Sequence, residues 1–423
     1  MDSQENTLLT NKHLLICLDA KSDPRLDYLV KNFCGLVVTD VLSITLDLVK
    51  KYLETNGQIY FCGSIQKFDL MISEFFNLNF DQFYVIKELS EYECTKYHIV
   101  VEKNVEYFVS YHIVDLGQVP INIHGVGVYF RKFFDEKDYF NLVKSEHQFQ
   151  VLTESNKPNN AFRKGIYLSK VEEQNGYKLF NLLRCSSNFE GPTDNFRPTD
   201  LEIVSNVNAV SEIFFEQKTD LNHVLAQIYE NNPKGKATIK AHSDKTKDMP
   251  RNGLIAFCTF YDNTMLNDPK MRIKKSQVDD FDYCYNETSV LTRLHFKLKD
   301  TVVDNKLVKE FSVVLYPNSL FIIPLSTNRL YTHEIRPSVL PHDKIPTRMG
   351  YVIRCSKTKA IYRDNETFYS ENNIDYAKLM GVNDDDLKGL RTLYFLENTT
   401  PNLITYGKIN FSMNKGDYLE PNL

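Results

Sequence analysis

The segment KATIKAHSD places a histidine and an aspartate two residues apart, at His242 and Asp244. The alternation of a β-strand would put both side chains on one face with Thr238 and Lys240, and would turn the intervening apolar residues the other way. An imidazole and a carboxylate on one face could ligate a metal ion. A chain of this composition contains about 0.7 such pairs by chance, so the pair alone indicates no function.

Two downstream segments supply the other groups of a possible metal site. SLFIIPLSTNRLYTHEIRPS has the pattern of a buried strand, a polar turn and a second strand that presents His333. PTRMGYVIR then carries Arg348 and Arg354, whose spacing of six keeps both guanidinium groups on one face of a strand. Two histidines and one carboxylate form the facial triad of non-haem iron sites, which leaves coordination positions open. An arginine nearby can pair with the carboxylate of a co-substrate.

The order His-x-Asp, distal His and Arg-x5-Arg resembles the AlkB-like branch of the Fe(II)/2-oxoglutarate-dependent dioxygenases, over about residues 120–365. The resemblance implies an α+β fold whose core is a double-stranded β-helix, or jelly roll. It also implies Fe(II) as cofactor, with 2-oxoglutarate and dioxygen as co-substrates. His242, Asp244 and His333 would then be the catalytic iron ligands. Arg348 would pair with the distal carboxylate of 2-oxoglutarate.

The resemblance extends to other residues around the co-substrate. Tyr229 in AQIYENN matches a tyrosine that donates to the co-substrate, and Gln227 stands where the family usually has asparagine. Arg354 matches the second arginine. At ~3.3 Å per residue its Cα lies ~20 Å from that of Arg348, so it would bond toward the iron end or to the aspartate ligand. Gly350 departs from the family, which often has an asparagine there that also contacts the co-substrate.

Each of these residues also has a structural interpretation. His242 and Asp244 could form a surface pair, and His333 could be a strand histidine whose hydrogen bonds are satisfied. The two arginines could be exposed charges at a sheet edge. Tyr229, one of 25 tyrosines, could be a core residue on an apolar strand. The metal-site hypothesis therefore depends on these side chains converging in the folded chain.

Residues 1–110 are predicted to form an accessory α/β domain. Apolar runs such as HLLICLDA, GLVVTDV and QIYFCGS alternate with segments of helical spacing, which indicates a small layered sheet. This order resembles the second half of a methyltransferase-like sheet, in degenerate form. FYVIKEL and KYHIVVEK are predicted to end it as an antiparallel pair. No glycine-rich phosphate or cofactor loop follows these strands, so a docking role is the expectation.

Residues 111–423 are predicted to form the jelly-roll dioxygenase domain. Asp135 is predicted to cap a helix that packs on the sheet. From about residue 160 onward, short strands separated by polar stretches favour an antiparallel sandwich or barrel. The segment 262–310 is predicted to be an insertion relative to the family, with an unassigned role.

The composition limits the class of protein. Apolar residues make up 42% and charged residues 25%, as in folded globular chains. The eight cysteines are scattered singly, which favours reduced thiols. The N-terminal segment lacks the pattern of a signal peptide, and no apolar run is long enough to predict a membrane span. We therefore expect no membrane partner and an intracellular protein, cytoplasmic or nuclear, or located in a host cell if the source is viral.

The substrate is the least constrained feature. The net charge of -5 argues against a generally basic nucleic-acid-binding surface, but residues 230–275 contain ten Lys or Arg against five Asp or Glu. This basic rim could contact phosphates or could be a solvated loop. The favoured hypothesis is hydroxylation or oxidative demethylation of a nucleic-acid base; a protein side-chain hydroxylase and a non-catalytic binding module are the alternatives. A flipped base would need a stacking aromatic, for which the candidates are Tyr167, Phe189, Phe196 and Phe214.

Overall fold

The computed structural model describes residues 8–18, 20–64, 80–91, 97–102, 105–110, 112–154, 157–185, 189–216, 220–372 and 374–423. The chain divides into two compact units. One comprises Thr7–Phe133 with Glu212–Glu216, and the other is built mainly from Phe134–Ser211 and Gln217–Leu423. The domain boundary predicted after residue 110 therefore lies inside the first unit.

The first unit contains a parallel sheet. Its elements are β1 (His13–Leu18), α1 (Pro24–Asn32), β2 (Leu36–Val38), α2 (Leu46–Glu54), β3 (Gln58–Ser64), β4 (Phe83–Glu91), β5 (Tyr97–Glu102), β6 (Val105–Ser110), β7 (His112–Val114), β8 (Ile121–Ile123) and β9 (Gly127–Phe130). Strands β2, β1, β3, β4 and β7 are neighbours in that order, and every pair among them is parallel. Apolar residues of the sheet and of helix α2 form one buried cluster, which includes Leu14, Ile16, Ile59, Phe61 and Val49.

The predicted antiparallel pairing of FYVIKEL with KYHIVVEK is wrong. FYVIKEL lies in β4, which runs parallel to both of its neighbours, β3 and β7. KYHIVVEK contains β5, which pairs antiparallel with β6. Only residues 103 and 104 separate β5 from β6, a spacing that suits a hairpin. Apolar periodicity identified both strands, but it does not specify which strand each one pairs with.

The second unit is rich in short antiparallel strands. Its elements up to residue 266 are α3 (Tyr139–Glu146), β10 (Gln150–Glu154), β11 (Lys157–Ser169), β12 (Glu172–Gln174), β13 (Tyr177–Leu182), β14 (Asp194–Asn195), α4 (Pro198–Phe214), β15 (His223–Tyr229), β16 (Ile239–His242), β17 (Leu254–Tyr261) and α5 (Asn263–Leu266). The following elements are β18 (Lys274–Lys275), β19 (Tyr283–Tyr285), β20 (Thr288–Ser289), β21 (Arg293–Leu298), β22 (Glu310–Val314), β23 (Ser319–Pro324), α6 (Leu325–Leu330), β24 (Tyr331–Arg336), β25 (Arg348–Arg354), β26 (Thr358–Arg363), β27 (Glu366–Ser370), β28 (Ala377–Lys378) and α7 (Asp384–Thr399). The predicted mixture of helices and antiparallel sheets is confirmed.

Two antiparallel sheets of this unit face each other. The major sheet has the strand order β10-β11-β15-β25-β17-β23, and the minor sheet has the order β16-β24-β21-β22. Aromatic side chains fill the space between them. Phe257 of the major sheet contacts His333 of the minor sheet with ring centroids 5.5 Å apart, and Phe321 contacts Phe296 at 5.8 Å. This packing holds one predicted ligand, His333, against an apolar floor.

The helix predicted to start at Asp135 begins later. The side chain of Asp138 accepts a hydrogen bond from the backbone N–H of Asn141 and caps α3. Asp135 instead accepts from the backbone of Lys137 in the preceding turn. Both aspartates precede apolar residues, so composition alone does not distinguish the cap. Among the described residues, no helix has both the length and the apolar character needed to cross a membrane.

Part of the predicted insertion belongs to the minor sheet. Strand β21 pairs with β24 along its length and places Phe296 opposite His333. Helix α5 and a small sheet of β18, β19 and β20 lie in the segment between residues 263 and 289. The alternation in RLHFKL indicated a strand but not its partner, and the insertion itself stays a prediction.

Candidate metal centre

The minor sheet brings the two predicted histidine ligands together. His242 ends β16 and lies opposite His333 of β24, with ring centroids 4.5 Å apart. The Oδ1 atom of Asp244 lies 3.5 Å from Nε2 of His242 and 3.8 Å from Nε2 of His333. Three ligands held ~2.1 Å from one metal at right angles are ~3.0 Å apart. A small inward movement of these side chains would therefore complete a facial triad.

Each imidazole has a feature that suits metal binding. Nδ1 of His242 lies 2.9 Å from the carbonyl oxygen of Lys240, an arrangement that leaves Nε2 as the ring nitrogen facing Asp244. Burial lowers the pKa of His333 to about 3. His333 is therefore neutral at physiological pH, which is the protonation state that metal ions require.

Asp244 is buried, and its two carboxylate oxygens face different partners. Oδ1 lies toward the histidines, whereas Oδ2 accepts a 2.7 Å hydrogen bond from Nε of Arg354. Burial alone would raise the pKa of Asp244, but Arg354 and the two histidines hold it well below its usual range. The carboxylate is therefore ionised and oriented. The bond to Asp244 is one of the two contacts that the sequence analysis predicted for Arg354.

Residues that sequence patterns did not identify hold the backbone around Asp244. Asn328 exchanges two hydrogen bonds with the backbone of Asp244, at 2.8 and 2.9 Å. From helix α7, Asn398 accepts from the backbone N–H of Ser243 at 2.9 Å. The adjacent Glu397 accepts from the backbone of residue 246 at 3.0 Å. Three side chains thus replace the ladder bonds that a strand would supply, and they preorganise the ligand segment.

All seven predicted site residues line one cavity of about 690 Å³. They are His242, Asp244, His333, Arg348, Arg354, Tyr229 and Gln227. The strand alternation of β15 and β25 explains how the major sheet contributes four of them from one face. The structure therefore brings the metal-ligand group and the predicted co-substrate residues to the same space.

Arg348 is buried in this cavity, and no carboxylate among the described residues pairs with it. It is 2% exposed, and among the described residues no atom accepts a hydrogen bond from its Nε or Nη2. Its guanidinium carbon lies 4.0 Å from the centre of the Tyr229 ring, whose hydroxyl donates to Gln227 at 3.1 Å. A Cβ added at Gly350 would lie 3.0 Å from Nη1 of Arg348 and 3.2 Å from the Tyr229 ring. Glycine therefore leaves room for this stacked pair.

The predicted basic rim is smaller than its sequence suggests. Lys247 is buried and pairs with Asp248 at 3.0 Å, and Lys245 donates to Asn398 at 2.7 Å. These two lysines stabilise the fold around the ligand segment, so their assignment to a solvent-facing rim is wrong. Lysines and arginines that do face solvent are Lys234, Lys240, Arg251, Lys270, Arg272, Lys274 and Lys275.

The four aromatic stacking candidates do not share one location. Tyr167 and Phe189 line the cavity and contact each other, with ring centroids 4.3 Å apart. Phe214 packs instead in the first unit, where its ring stacks on His13 at 4.2 Å. Phe196 is not among the residues that line the cavity. Only Tyr167 and Phe189 therefore remain candidates for contact with a substrate in the cavity.

A second group with metal-ligand chemistry has a different role. His147 lies between two buried aspartates, with Nδ1 2.7 Å from Asp194 and Nε2 2.7 Å from Asp200. Burial alone would lower the pKa of His147, but these hydrogen bonds raise it to about 9. Both ring nitrogens then carry protons and have no lone pair for a metal. This cluster is an internal ion group that links α3 to α4.

The His147 group predicts a pH dependence of stability. The folded pKa of about 9 exceeds the ordinary histidine value of 6.5, so its contribution to the free energy of unfolding should be full below about pH 6.5. It should be lost as the pH rises through 9. Urea unfolding of wild type and His147→Gln at about pH 6 and about pH 10 should show a difference in stability that shrinks at the higher pH.

His342→Gln is the matched control, because its side chain is only partly buried in a turn. Its stability difference from wild type should be small at both values of pH. A difference between wild type and His147→Gln that does not change with pH would contradict the protonated state assigned to His147.

Known structures that are similar to this chain include two weak likenesses. No protein-family model and no curated protein sequence matches the chain. The structure of OsALKBH1 is similar at a TM-score of 0.31 and 12% identity, over 54% of this chain and 97% of that one. SnoN, a non-haem α-ketoglutarate-dependent epimerase of nogalamycin biosynthesis, is similar at a TM-score of 0.31 and 9% identity, over 56% of this chain and 80% of that one. Likenesses of this size decide neither fold nor activity.

Proposed function

We propose that this protein is an Fe(II)- and 2-oxoglutarate-dependent dioxygenase whose major and minor sheets form a jelly roll. The observation that carries the proposal is the position of two unusual groups in one cavity. One is the cluster of His242, Asp244 and His333, and the other is the buried, unpaired Arg348. A metal ion would complete the first group, and a carboxylate would complete the second.

The side chains present fit both groups chemically. Two neutral imidazoles and one ionised carboxylate are the donor set that non-haem iron uses. Burying Arg348 without a partner is costly, and a co-substrate carboxylate would remove that cost. Bound iron with 2-oxoglutarate and dioxygen would supply the oxidation, in which the co-substrate loses carbon dioxide to become succinate and one oxygen atom enters the substrate.

The protein's own residues orient these reactants. Arg354 fixes Oδ2 of Asp244, so that Oδ1 faces the histidines. Arg348 would hold the distal carboxylate of the co-substrate, with Tyr229 and Gln227 beside it. The apolar rings that line the cavity, including Phe257, exclude water from the reacting end.

We propose a nucleic-acid base as the substrate. Support comes from the solvent-facing cations of the segment that surrounds His242, among them Lys240, Arg251 and Lys274. Such side chains can contact phosphates, whereas Tyr167 and Phe189 provide aromatic surface inside the cavity. The N-terminal residues 1–110 would serve as an accessory docking domain.

A succinate-release screen tests the function and the substrate together. Methylated single-stranded and double-stranded DNA and RNA, thymine-containing DNA and a peptide pool would each be added to protein with Fe(II) and 2-oxoglutarate. Stimulation by a nucleic acid supports the proposal, and formaldehyde release would identify demethylation. Stimulation by peptides alone would instead indicate a protein hydroxylase.

Salt dependence adds a second criterion for nucleic acid. Joint replacement of Lys270, Arg272 and Lys274 by Gln should lower the slope of log affinity against log salt by about 0.7 to 0.9 for each phosphate that the protein no longer neutralises. These residues are exposed, so the fold should tolerate the change. Joint replacement of Lys359 on β26 and Lys388 on α7, which are also exposed, is the control and should leave the slope unchanged.

A further inference from the structure

A second arginine, Arg163, lies in the same row of the major sheet as Arg348. In the pairing of β11 with β15, Arg163 lies opposite Tyr229, and in the pairing of β15 with β25, Tyr229 lies opposite Arg348. Residues directly opposite one another in neighbouring strands point to the same face of a sheet. Arg163 accordingly lines the same cavity as Tyr229 and Arg348.

Arg163 shares the unusual environment of Arg348. It is only 9% exposed, and its Nε is buried without a hydrogen-bond partner. Within the described part of the chain, it forms no ion pair with a carboxylate. Two other buried arginines differ: Arg184 pairs with Asp248 at 2.6 Å, and Arg354 pairs with Asp244 at 2.7 Å. Arg163 and Arg348, two cations in one row of the cavity wall, therefore lack an anion among the described residues.

The spacing of the row suits one carboxylate between both arginines. Strands two apart in a sheet are ~10 Å apart. When guanidinium groups bond a carboxylate on both sides, its carbon lies ~4 Å from each guanidinium carbon, so the two guanidinium carbons are ~8 Å apart. Small side-chain movements would cover the difference between this separation and that of the strands. A carboxylate has enough lone pairs to accept from both groups.

We propose that Arg163 is a second anion-binding residue, which acts with Arg348 on the distal carboxylate of the co-substrate. This inference rests on the proposed function, because it assumes that the cavity binds 2-oxoglutarate. With two arginines, the binding affinity would depend more strongly on the distal carboxylate of the ligand than it would with one arginine. The enzyme should therefore discriminate strongly between 2-oxoglutarate and 2-oxo acids that end in a methyl group.

Calorimetric binding to Mn(II)-loaded protein without oxygen tests this inference. The two ligands are 2-oxoglutarate and 2-oxobutyrate, which lacks the distal carboxylate. Arg163→Gln should weaken 2-oxoglutarate binding by about tenfold to a hundredfold, the range for removal of a hydrogen bond to a charged group. It should leave 2-oxobutyrate binding unchanged. Arg163→Lys should recover part of the affinity, because it keeps the charge but not the forked geometry.

Lys164→Gln is the matched control on the same strand. Lys164 is the next residue, is partly exposed, and pairs with Glu230 on the other face of β11 at 2.8 Å. Its replacement removes the same charge and should leave the affinity for both ligands unchanged. Thermal unfolding should confirm that Arg163→Gln folds, because the change removes a buried charge that has no partner.

The outcomes separate this inference from the proposed function. If wild type binds 2-oxoglutarate and Arg348→Gln weakens that binding but Arg163→Gln does not, the role of Arg163 is disproved and the proposed function stands. Equal weakening of both ligands by Arg163→Gln would also overturn the inference, since it would indicate a general distortion of the site. If wild type with Mn(II) binds neither ligand, the proposed function and the inference both fail.

Discussion

Wild-type protein is expected to bind about one Fe(II), Co(II) or Mn(II) per chain, and Asp244→Ala is expected to abolish that binding. Asp244 is the only anionic ligand of the three, so its removal takes away most of the charge complementarity of the site. The measurement is titration with Co(II) under anaerobic conditions, followed by calorimetry and by the visible absorption of bound cobalt. Asp244→Asn should also bind far more weakly, while preserving the shape of the side chain.

Two comparisons make this result interpretable. Asp244→Ala leaves Arg354 buried without its partner, so its unfolding must be measured beside its metal affinity. Asp300→Ala removes a carboxylate that is 88% exposed and should bind metal as wild type does. Wild-type affinity in a folded Asp244→Asn variant would exclude this carboxylate as a ligand.

Arg348→Ala is expected to weaken 2-oxoglutarate binding by about 2 to 5 kcal/mol. The loss is large because the variant would leave a desolvated carboxylate without its ion pair to Arg348. Calorimetry with Mn(II)-loaded protein measures the binding constant directly, and the metal affinity itself should stay near the wild-type value. That separation would place Arg348 at the co-substrate and not at the metal.

Lys297→Ala is the control for Arg348→Ala. Lys297 lies on β21 of the minor sheet, and its side chain is 57% exposed. Its removal should change neither the metal affinity nor the co-substrate affinity. Equal affinity for 2-oxoglutarate in wild type and Arg348→Ala would disprove the assignment of this arginine.

The metal-ligand group was predictable from the order of its residues along the chain and from strand patterns. Strand alternation predicted one face for His242 and Asp244, although β16 ends at His242 and side chains from other elements position Asp244. The second strand pattern presented His333. In the structure the two histidines lie opposite each other on paired strands, so the pairing of β16 with β24 is enough to bring them together. Arg354 followed similarly from its spacing on β25.

Other parts of the site depend on tertiary contacts that no local pattern encodes. Asn398 lies 155 positions after Ser243, and its role depends on where helix α7 docks. Lys247 occurs in a charged stretch that is typical of solvated loops, yet it is buried because it pairs with the buried Asp248, which also pairs with Arg184. Arg163 became a candidate only when the register placed it beside Tyr229. Strand pairing in the first unit was mispredicted for the same reason.

The attachment of the ligand segment to helix α7 bears on the order of events during protein synthesis. Ser243 and Thr246 leave the ribosome about 150 residues before Asn398 and Glu397, the side chains that satisfy their backbone N–H groups. Until the helix has been made and has docked, Asp244 is carried by a segment that lacks two of its three supporting side chains. Metal acquisition would then be a late step of maturation, coupled to the docking of α7, and the nascent chain would emerge without a competent centre.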